Sequence, residues 1–258
     1  MKPIRLVFIF SLLFILSLEA QGQSTYKGCY GFDCKEKKWS ISIFGGLSIL
    51  GPGQKIKKQM SASGLGDVGP DISLHDWFET ADYPVGGIGT SWNLAVGYAL
   101  SKKSSLQFVG GNSFFSVEGY DDIGLGNSLL IKNSIWTASF NYVFKLRKGK
   151  DGFNLGPVLA NYSAKAEYIK GYEYHVTSTS SVKAGFNAGY TFSLIQTKSW
   201  FLAGNVNYTW LPNADIGPYT VEHENGGYPE PEIFTSTFPK TEVPLSHLSF
   251  GLSTGFKF

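Results

Sequence analysis

Charge is scarce in this chain, with acidic and basic residues making up only 16% of it and a formal net charge of +2, so no large basic surface marks a nucleic-acid partner. Beyond the first two dozen residues no apolar run approaches the roughly 20 residues a membrane helix needs, which excludes a helical membrane protein. Cysteine is limited to two residues, so no disulfide framework holds the fold. The 43% hydrophobic content rules against a disordered chain. What is abundant is glycine, at 31 residues, and aromatics, at 16%, a mixture suited to twisted strands and tight turns. One all-β domain is the expectation.

Residues 1–22 read as a secretory signal: Lys2 and Arg5 form a basic start, Leu6 to Leu18 an apolar run, and Ala20-Gln21-Gly22 a small-residue cleavage site. Residues 23–38 form a periplasmic N-terminal segment and 39–258 the barrel domain. Cys29 and Cys34 lie in the short segment, where an oxidising compartment permits a disulfide across Cys-Tyr-Gly-Phe-Asp-Cys. A metal site there lacks further ligands, and Cys29 lies too far past the apolar run for a lipoprotein anchor.

Eight segments alternate with a period of two. They are Trp39 to Leu50, Ser91 to Ser101, about Ser105 to Val117, Lys132 to Leu146, Phe153 to Ala166, Val182 to Leu194, Trp200 to Trp210, and His247 to Phe258. The sixth is the clearest, with Val182, Ala184, Phe186, Ala188, Tyr190, Phe192 and Leu194 opposing Lys183, Gly185, Asn187, Gly189, Thr191 and Ser193. In the first, Phe44 breaks the pattern; in the third, a slip near Gly110-Gly111 predicts a bulge; in the fifth, Pro157 calls for an edge, a bulge or a strand end.

Connections alternate between short turns (Lys102 to Ser104, Arg147 to Gly152, Thr197 to Ser199) and longer loops, the longest being Gly51 to Thr90 and Leu211 to Val243. An even-stranded outer-membrane barrel shows this alternation, and it puts both termini in the periplasm. The polar face separates a membrane barrel from a soluble one. It carries Gly, Ser, Asn, Thr and Ala rather than the Lys and Glu of a water-facing surface, as suits a narrow lumen. Trp39, Trp92, Trp136, Trp200 and Trp210 fall at or near strand ends, where aromatic girdles belong.

The last segment, His247-Leu248-Ser249-Phe250-Gly251-Leu252-Ser253-Thr254-Gly255-Phe256-Lys257-Phe258, resembles the C-terminal assembly signal of outer-membrane proteins, with Phe250, Leu252, Phe256 and Phe258 as its apolar positions. The mature chain resembles small eight-stranded barrels of the OmpA and OmpX type, in the broad outer membrane protein beta-barrel domain group. The resemblance implies an all-β, eight-stranded, antiparallel, up-and-down transmembrane barrel in the outer membrane of a Gram-negative cell envelope. It also implies the barrel-assembly machinery as a partner during insertion, with outer-membrane lipid and lipopolysaccharide around the folded barrel. It identifies an architecture rather than an activity.

Eight strands leave an interior that side chains fill, so a general diffusion pore is not expected. Lys183 and Lys257, and with them Lys145 and Lys132, are expected to face the lumen in a hydrogen-bonded network. No cofactor is expected. The long loops carry the binding expectation, including a protein partner in a larger outer-membrane assembly. The first has Lys55, Lys57 and Lys58, then Asp71, His75, Asp76, Trp77, Glu79 and Asp82; the last has Asp215, Glu222, His223, Glu224, Glu230, Glu232 and Glu242. Their carboxylates could meet Ca²⁺ or Mg²⁺ but lack a regular ligand spacing, and solvated charge is the plainer reading. A non-enzyme is expected. The alternative, a lipid-modifying hydrolase, rests on His247 and Ser249, two apart on one face with no orienting acid evident.

Overall fold

A computed structural model describes residues 38–63, 88–101, 103–120, 128–146, 151–170, 173–225 and 232–258. The barrel belongs to the compact unit Lys37–Phe258; the other unit, Met1–Glu36, lies outside the described residues and with it the signal segment, Cys29 and Cys34. Strands β1 (Trp39–Leu50), β2 (Ile88–Ala99), β3 (Ser104–Tyr120), β4 (Ser128–Leu146), β5 (Asp151–Lys170), β6 (Glu173–Gln196), β7 (Trp200–Trp210) and β12 (His247–Lys257) close into an antiparallel barrel in the order β1-β12-β7-β6-β5-β4-β3-β2. Helix α1 (Gly51–Ala62) follows β1, and the short strands β8 (Ala214–Ile216), β9 (Tyr219–Asn225), β10 (Glu232–Phe238) and β11 (Thr241–Val243) lie between β7 and β12.

The alternation places apolar side chains outward. Leu47, Phe250, Val206, Tyr190, Phe153 and Phe144 follow one another in register across six strands, all on the outer face. On β4 the exposed outer positions run from Trp136 through Phe140 and Phe144 to Leu146. At about 3.3 Å per residue and about 40° of tilt they cover about 25 Å, the height of a hydrocarbon band. Tryptophans mark both borders. Trp39 meets Tyr98 at 4.8 Å at the short-turn end, where Trp200 Nε1 also donates to Thr254 Oγ1 at 2.8 Å. Trp92 meets Trp136 edge-on at 5.6 Å, and Trp210 meets Phe186 at 6.4 Å, at the other border. Exposed apolar surface this continuous is stable only against lipid, so the barrel crosses a membrane.

Above the upper girdle the two faces exchange composition without any change of pleat. On β4 the inward Ser139 and Asn141 give way to the buried Ile135, Ile131 and Leu129, while the outward Trp136 gives way to Ser134 and Lys132. On β5 the inward side continues as Tyr162, Ala164 and Ala166, all buried, while the outward Leu159 is followed by Asn161 and Lys165. The solvent explains the switch. Within the bilayer the outside is hydrocarbon and the narrow lumen is polar; above it the outside is water, so apolar groups turn inward as in a soluble sheet.

Among the described residues only β3 to β6 extend well past the girdle, and their inner face holds a dry core. Ile56 and Met60 of α1, one turn apart, pack into it against Phe115 and Val117 of β3, leaving Lys55 and Lys58 exposed. Ile216, Tyr219, Phe238 and Val243 enter from the β8–β11 segment and Leu245 from the connection into β12, with Tyr219 stacked on Phe238 at 5.8 Å. Tyr162 lies deep in this core, its hydroxyl donating to Asn133 Oδ1 at 2.7 Å. Gly217 makes the bend between β8 and β9 at a φ of 73°, a conformation open to glycine.

Several expectations change. The loop after β1 contains α1, the loop after β7 contains four strands, and the connections expected at Glu118 to Ile131 and at Glu167 to Ser181 are shortened, because β3 runs to Tyr120, β4 starts at Ser128, β5 runs to Lys170 and β6 starts at Glu173. No bulge occurs at Gly110-Gly111: register runs unbroken from Leu94 to Gly110 to Ala138, and Gly110 and Asn112 simply take outer positions. Asn112 is buried in register between Trp92 and Trp136 and accepts from Ser134 Oγ at 3.0 Å. The irregularity is elsewhere, at Ser193/Ile195 of β6. Pro157 stays mid-strand on the outer face, where the β4–β5 ladder passes from Ser139↔Val158 to Tyr142↔Leu155.

Candidate functional site

Within the girdled half of the barrel the lumen is a polar cavity of about 120 Å³. It runs from Ser40, Gln107 and Phe201 near the short turns to Thr209, His247 and Val158 beneath the dry core. Its walls carry carboxamides and hydroxyls and no carboxylate. Asn154 Nδ2 donates to Asn207 Oδ1 at 3.2 Å, Thr191 Oγ1 to Asn205 Oδ1 at 2.7 Å, and Asn205 Nδ2 to Ser253 Oγ at 2.8 Å. Gly189 makes the first contact possible, since a Cβ there would lie 1.9 Å from Asn207 Oδ1. Phe44, the exception in its strand, is buried in this wall.

His247 and Ser249 both line the cavity, but each turns to a backbone carbonyl. His247 Nδ1 lies 3.1 Å from Leu245 O, and Ser249 Oγ donates to Asn207 O at 3.4 Å. Lys183 shares the inward face of β6 with Gly185 and Asn187, opposite the buried Ala160, so it stands at the top of the lumen. Lys257 shares the inward face of β12 with Ser249 and Ser253, its ammonium 5.6 Å from the centre of the Phe201 ring. Phe250, Leu252 and Phe258 of the expected assembly signal are exposed outward, and Phe256 lies on the same face. The backbone of Phe258 exchanges two hydrogen bonds with Trp39, each 2.9 Å, completing the β12–β1 seam.

Lys132 corrects an expectation: it faces outward, on the side of Trp136, because an even number of residues separates them. It lies opposite Lys165 of β5, and both reach Glu167, Lys132 Nζ at 2.6 Å and Lys165 Nζ at 3.0 Å. Periodicity could have placed this pair on the outer face; the cross-strand register that joins it to Glu167 required the structure.

At the long-loop end, α1, the dry core and the β8–β11 segment sit over the lumen. Asp215 pairs with Lys240 at 2.9 Å, and Asn213 Nδ2 donates to Glu242 Oε1 at 3.0 Å. The β9–β10 hairpin is joined through Tyr219↔Phe238 to Asn225↔Glu232. On β6, pairing with β7 begins only at Phe186, so among the described residues the segment from Val176 to Gly185 has one open edge. Asp71, His75, Asp76, Trp77, Glu79, Asp82 and Glu230 lie outside the described residues. Among the described residues no group of three His, Cys, Asp or Glu side chains could hold a metal ion.

No protein-family model matches the chain, and no curated protein does. Among solved structures, the chain is similar to Ail, the attachment invasion locus protein of Yersinia pestis in complex with the heparin analogue sucrose octasulfate, at 14% identity and a TM-score of 0.44, covering 86% of this chain and 99% of that one. A major outer membrane protein of Thermus thermophilus is similar at 13% and 0.46, covering 86% and 98%, and the outer membrane protease OmpT of Escherichia coli at 9% and 0.42, covering 88% and 99%. Identities and TM-scores this low carry no functional information. The closed eight-stranded barrel, its apolar band and its paired girdles make the chain a small outer-membrane β-barrel protein.

Proposed function

We propose that this barrel is a non-conducting anchor whose long-loop end binds a partner, as a subunit of a larger outer-membrane assembly, with its short turns and both termini in the periplasm. The observation that carries the reading is the dry core above the girdle. Ile56, Met60, Phe115, Ile131 and Phe238, each fully buried, occupy the route an ion would take out of the polar lumen. A protein that only spanned the membrane would need no such core. Four extended strands built around apolar side chains make a stiff platform, and loops on a stiff barrel are where recognition concentrates. The edge of β6 that is open among the described residues supports the same reading, because such an edge is a template for an added strand.

Two measurements test it. In planar bilayers the purified barrel is expected to give no steady conductance. In mild detergent it is expected to co-purify with a defined partner, lost on deletion of residues 221–236 while heat-modifiable migration persists. Steady conductance, or a chain that always purifies alone with that deletion silent, would overturn the proposal.

A further inference from the structure

The near-neutral total charge hides a segregation that the strand topology exposes. Residues 100–103, 147–150 and 197–199 join β2 to β3, β4 to β5 and β6 to β7, and they carry six cations, Lys102, Lys103, Arg147, Lys148, Lys150 and Lys198, with no acid. The connections at the other end, residues 51–87, 121–127, 171–172 and 211–246, carry four lysines against thirteen acids. The two ends of the barrel therefore have opposite sign.

The excess at the short-turn end is a matter of count and holds whichever ion pairs form. Lys38, Lys145 and Lys257 lie at the same end, where the carboxylates among residues 38–258 are Asp151 and the chain end at Phe258. Asp151 is buried and accepts from the Tyr190 hydroxyl and from Ser193 N, each at 3.3 Å. Residues 23–37 carry Lys27, Lys35 and Lys37 against Asp33 and Glu36, so they do not reverse the sign.

Depth decides what this charge meets. Lys38 is exposed and adjoins Trp39 of the girdle, Lys103 is exposed and three residues from the lipid-facing Leu100, and Lys198 is exposed and two residues from Trp200. In the chain Arg147 directly follows the exposed Leu146. Steps of about 3.3 Å per residue keep these basic positions within about 10 Å of the apolar band, at the depth of lipid headgroups. Backbone bonds fix the rim that displays them: Ala99 N donates to Lys38 O at 2.7 Å, Lys145 N to Lys103 O at 2.8 Å and Lys257 N to Ser199 O at 2.7 Å. A ligand there meets ordered backbone, which lowers the cost of binding.

We propose that the three short turns form a cationic collar that binds the headgroups of anionic phospholipids in the leaflet they face. Only the choice of leaflet rests on the orientation proposed above; the collar does not. The attraction is electrostatic and local, so it depends on charge at the turns rather than on the charge of the whole chain.

Lipid retention tests this on the full mature chain in nanodiscs of phosphatidylcholine with a minor fraction of phosphatidylglycerol. Mild detergent extraction and native mass spectrometry then count each lipid per barrel. Both faces of a disc are alike, so failure here is independent of failure of the anchor reading. The wild-type barrel is expected to retain phosphatidylglycerol preferentially at about 0.1 M salt and to lose the preference at about 1 M, where screening acts within about 3 Å. Lys102→Gln/Lys103→Gln/Arg147→Gln/Lys148→Gln/Lys150→Gln is expected to lower the preference by about tenfold. Lys103→Gln alone should show part of that loss should the multiple variant fail to fold, and Lys183→Gln, which removes the same charge from the inner face of β6, should show none. No preference for phosphatidylglycerol, a preference that survives high salt, or equal effects of Lys103→Gln and Lys183→Gln would overturn the proposal. So would capture of soluble polyglutamate without any lipid preference, which would assign the turns to an acidic protein.

Discussion

At the scale of single residues, the same side chain has different weight on either side of the girdle. Ile131 is fully buried in the dry core, whereas Leu159 is 61% exposed on the outer face. Ile131→Ala is therefore expected to destabilise by about 2–5 kcal/mol, through lost burial and the cavity left behind. Leu159→Ala, whose side chain meets lipid, is expected to cost much less. Urea unfolding of the two variants in detergent checks the contrast, and equal losses would contradict the division into two environments. His247 and Ser249 are expected to act as wall residues, because each faces a backbone carbonyl and the cavity around them holds no carboxylate. Replacing either with alanine should leave the lipid A mass spectrum of an expressing strain unchanged. A change in lipid A on expression that either variant abolished would favour the hydrolase reading.

At the scale of elements, β4 carries three environments on one outer face. Phe140 is midway along the apolar band, and Trp136 marks its border opposite Asn161. An arginine in place of Phe140 is expected to cost about 2–4 kcal/mol, while Asn161→Arg should cost about 0–1 kcal/mol. Folding into vesicles, followed by Trp fluorescence against denaturant, measures both. Equal costs would mean that the band is not centred where the tryptophans place it. Alternation made these strands legible in the sequence, since seven apolar residues from Val182 to Leu194 share one face. It also hid their full length. Above the girdle the apolar residues move to the other face, so a reading that follows one apolar face puts Lys132 on the wrong side and loses the strands toward their outer ends. Residues 118–120, 128–131, 167–170 and 173–181 therefore read as loops. Helix α1 escaped notice for a related reason: among the described residues its buried stripe is Gly53, Ile56 and Met60.

At the scale of the whole molecule, closure depends on β12 joining β1. Phe258 contributes two backbone hydrogen bonds to that seam, through Trp39. Deleting Phe258 is expected to slow insertion into vesicles by several fold and to lower the yield of heat-modifiable barrel in cells. Removing residues 221–236 should affect neither, since the barrel wall does not include them. Pulse-chase of the heat-modifiable form compares the two, and equal defects would sink the seam argument.

The sequence by itself determined the number of membrane strands, their inward and outward faces within the apolar band and the positions of the tryptophan borders. Those follow from a period of two, which is a local property of the backbone and needs no knowledge of partners. The tertiary structure alone decided what closes the barrel and what the outer flank presents. The dry core joins α1, β3 to β6 and the β8–β11 segment across long sequence separations. Likewise Lys132 and Lys165 become one cluster only because the β4–β5 register sets them side by side with Glu167 next to them. Register and packing between distant segments are non-local, and no periodicity within one strand encodes them.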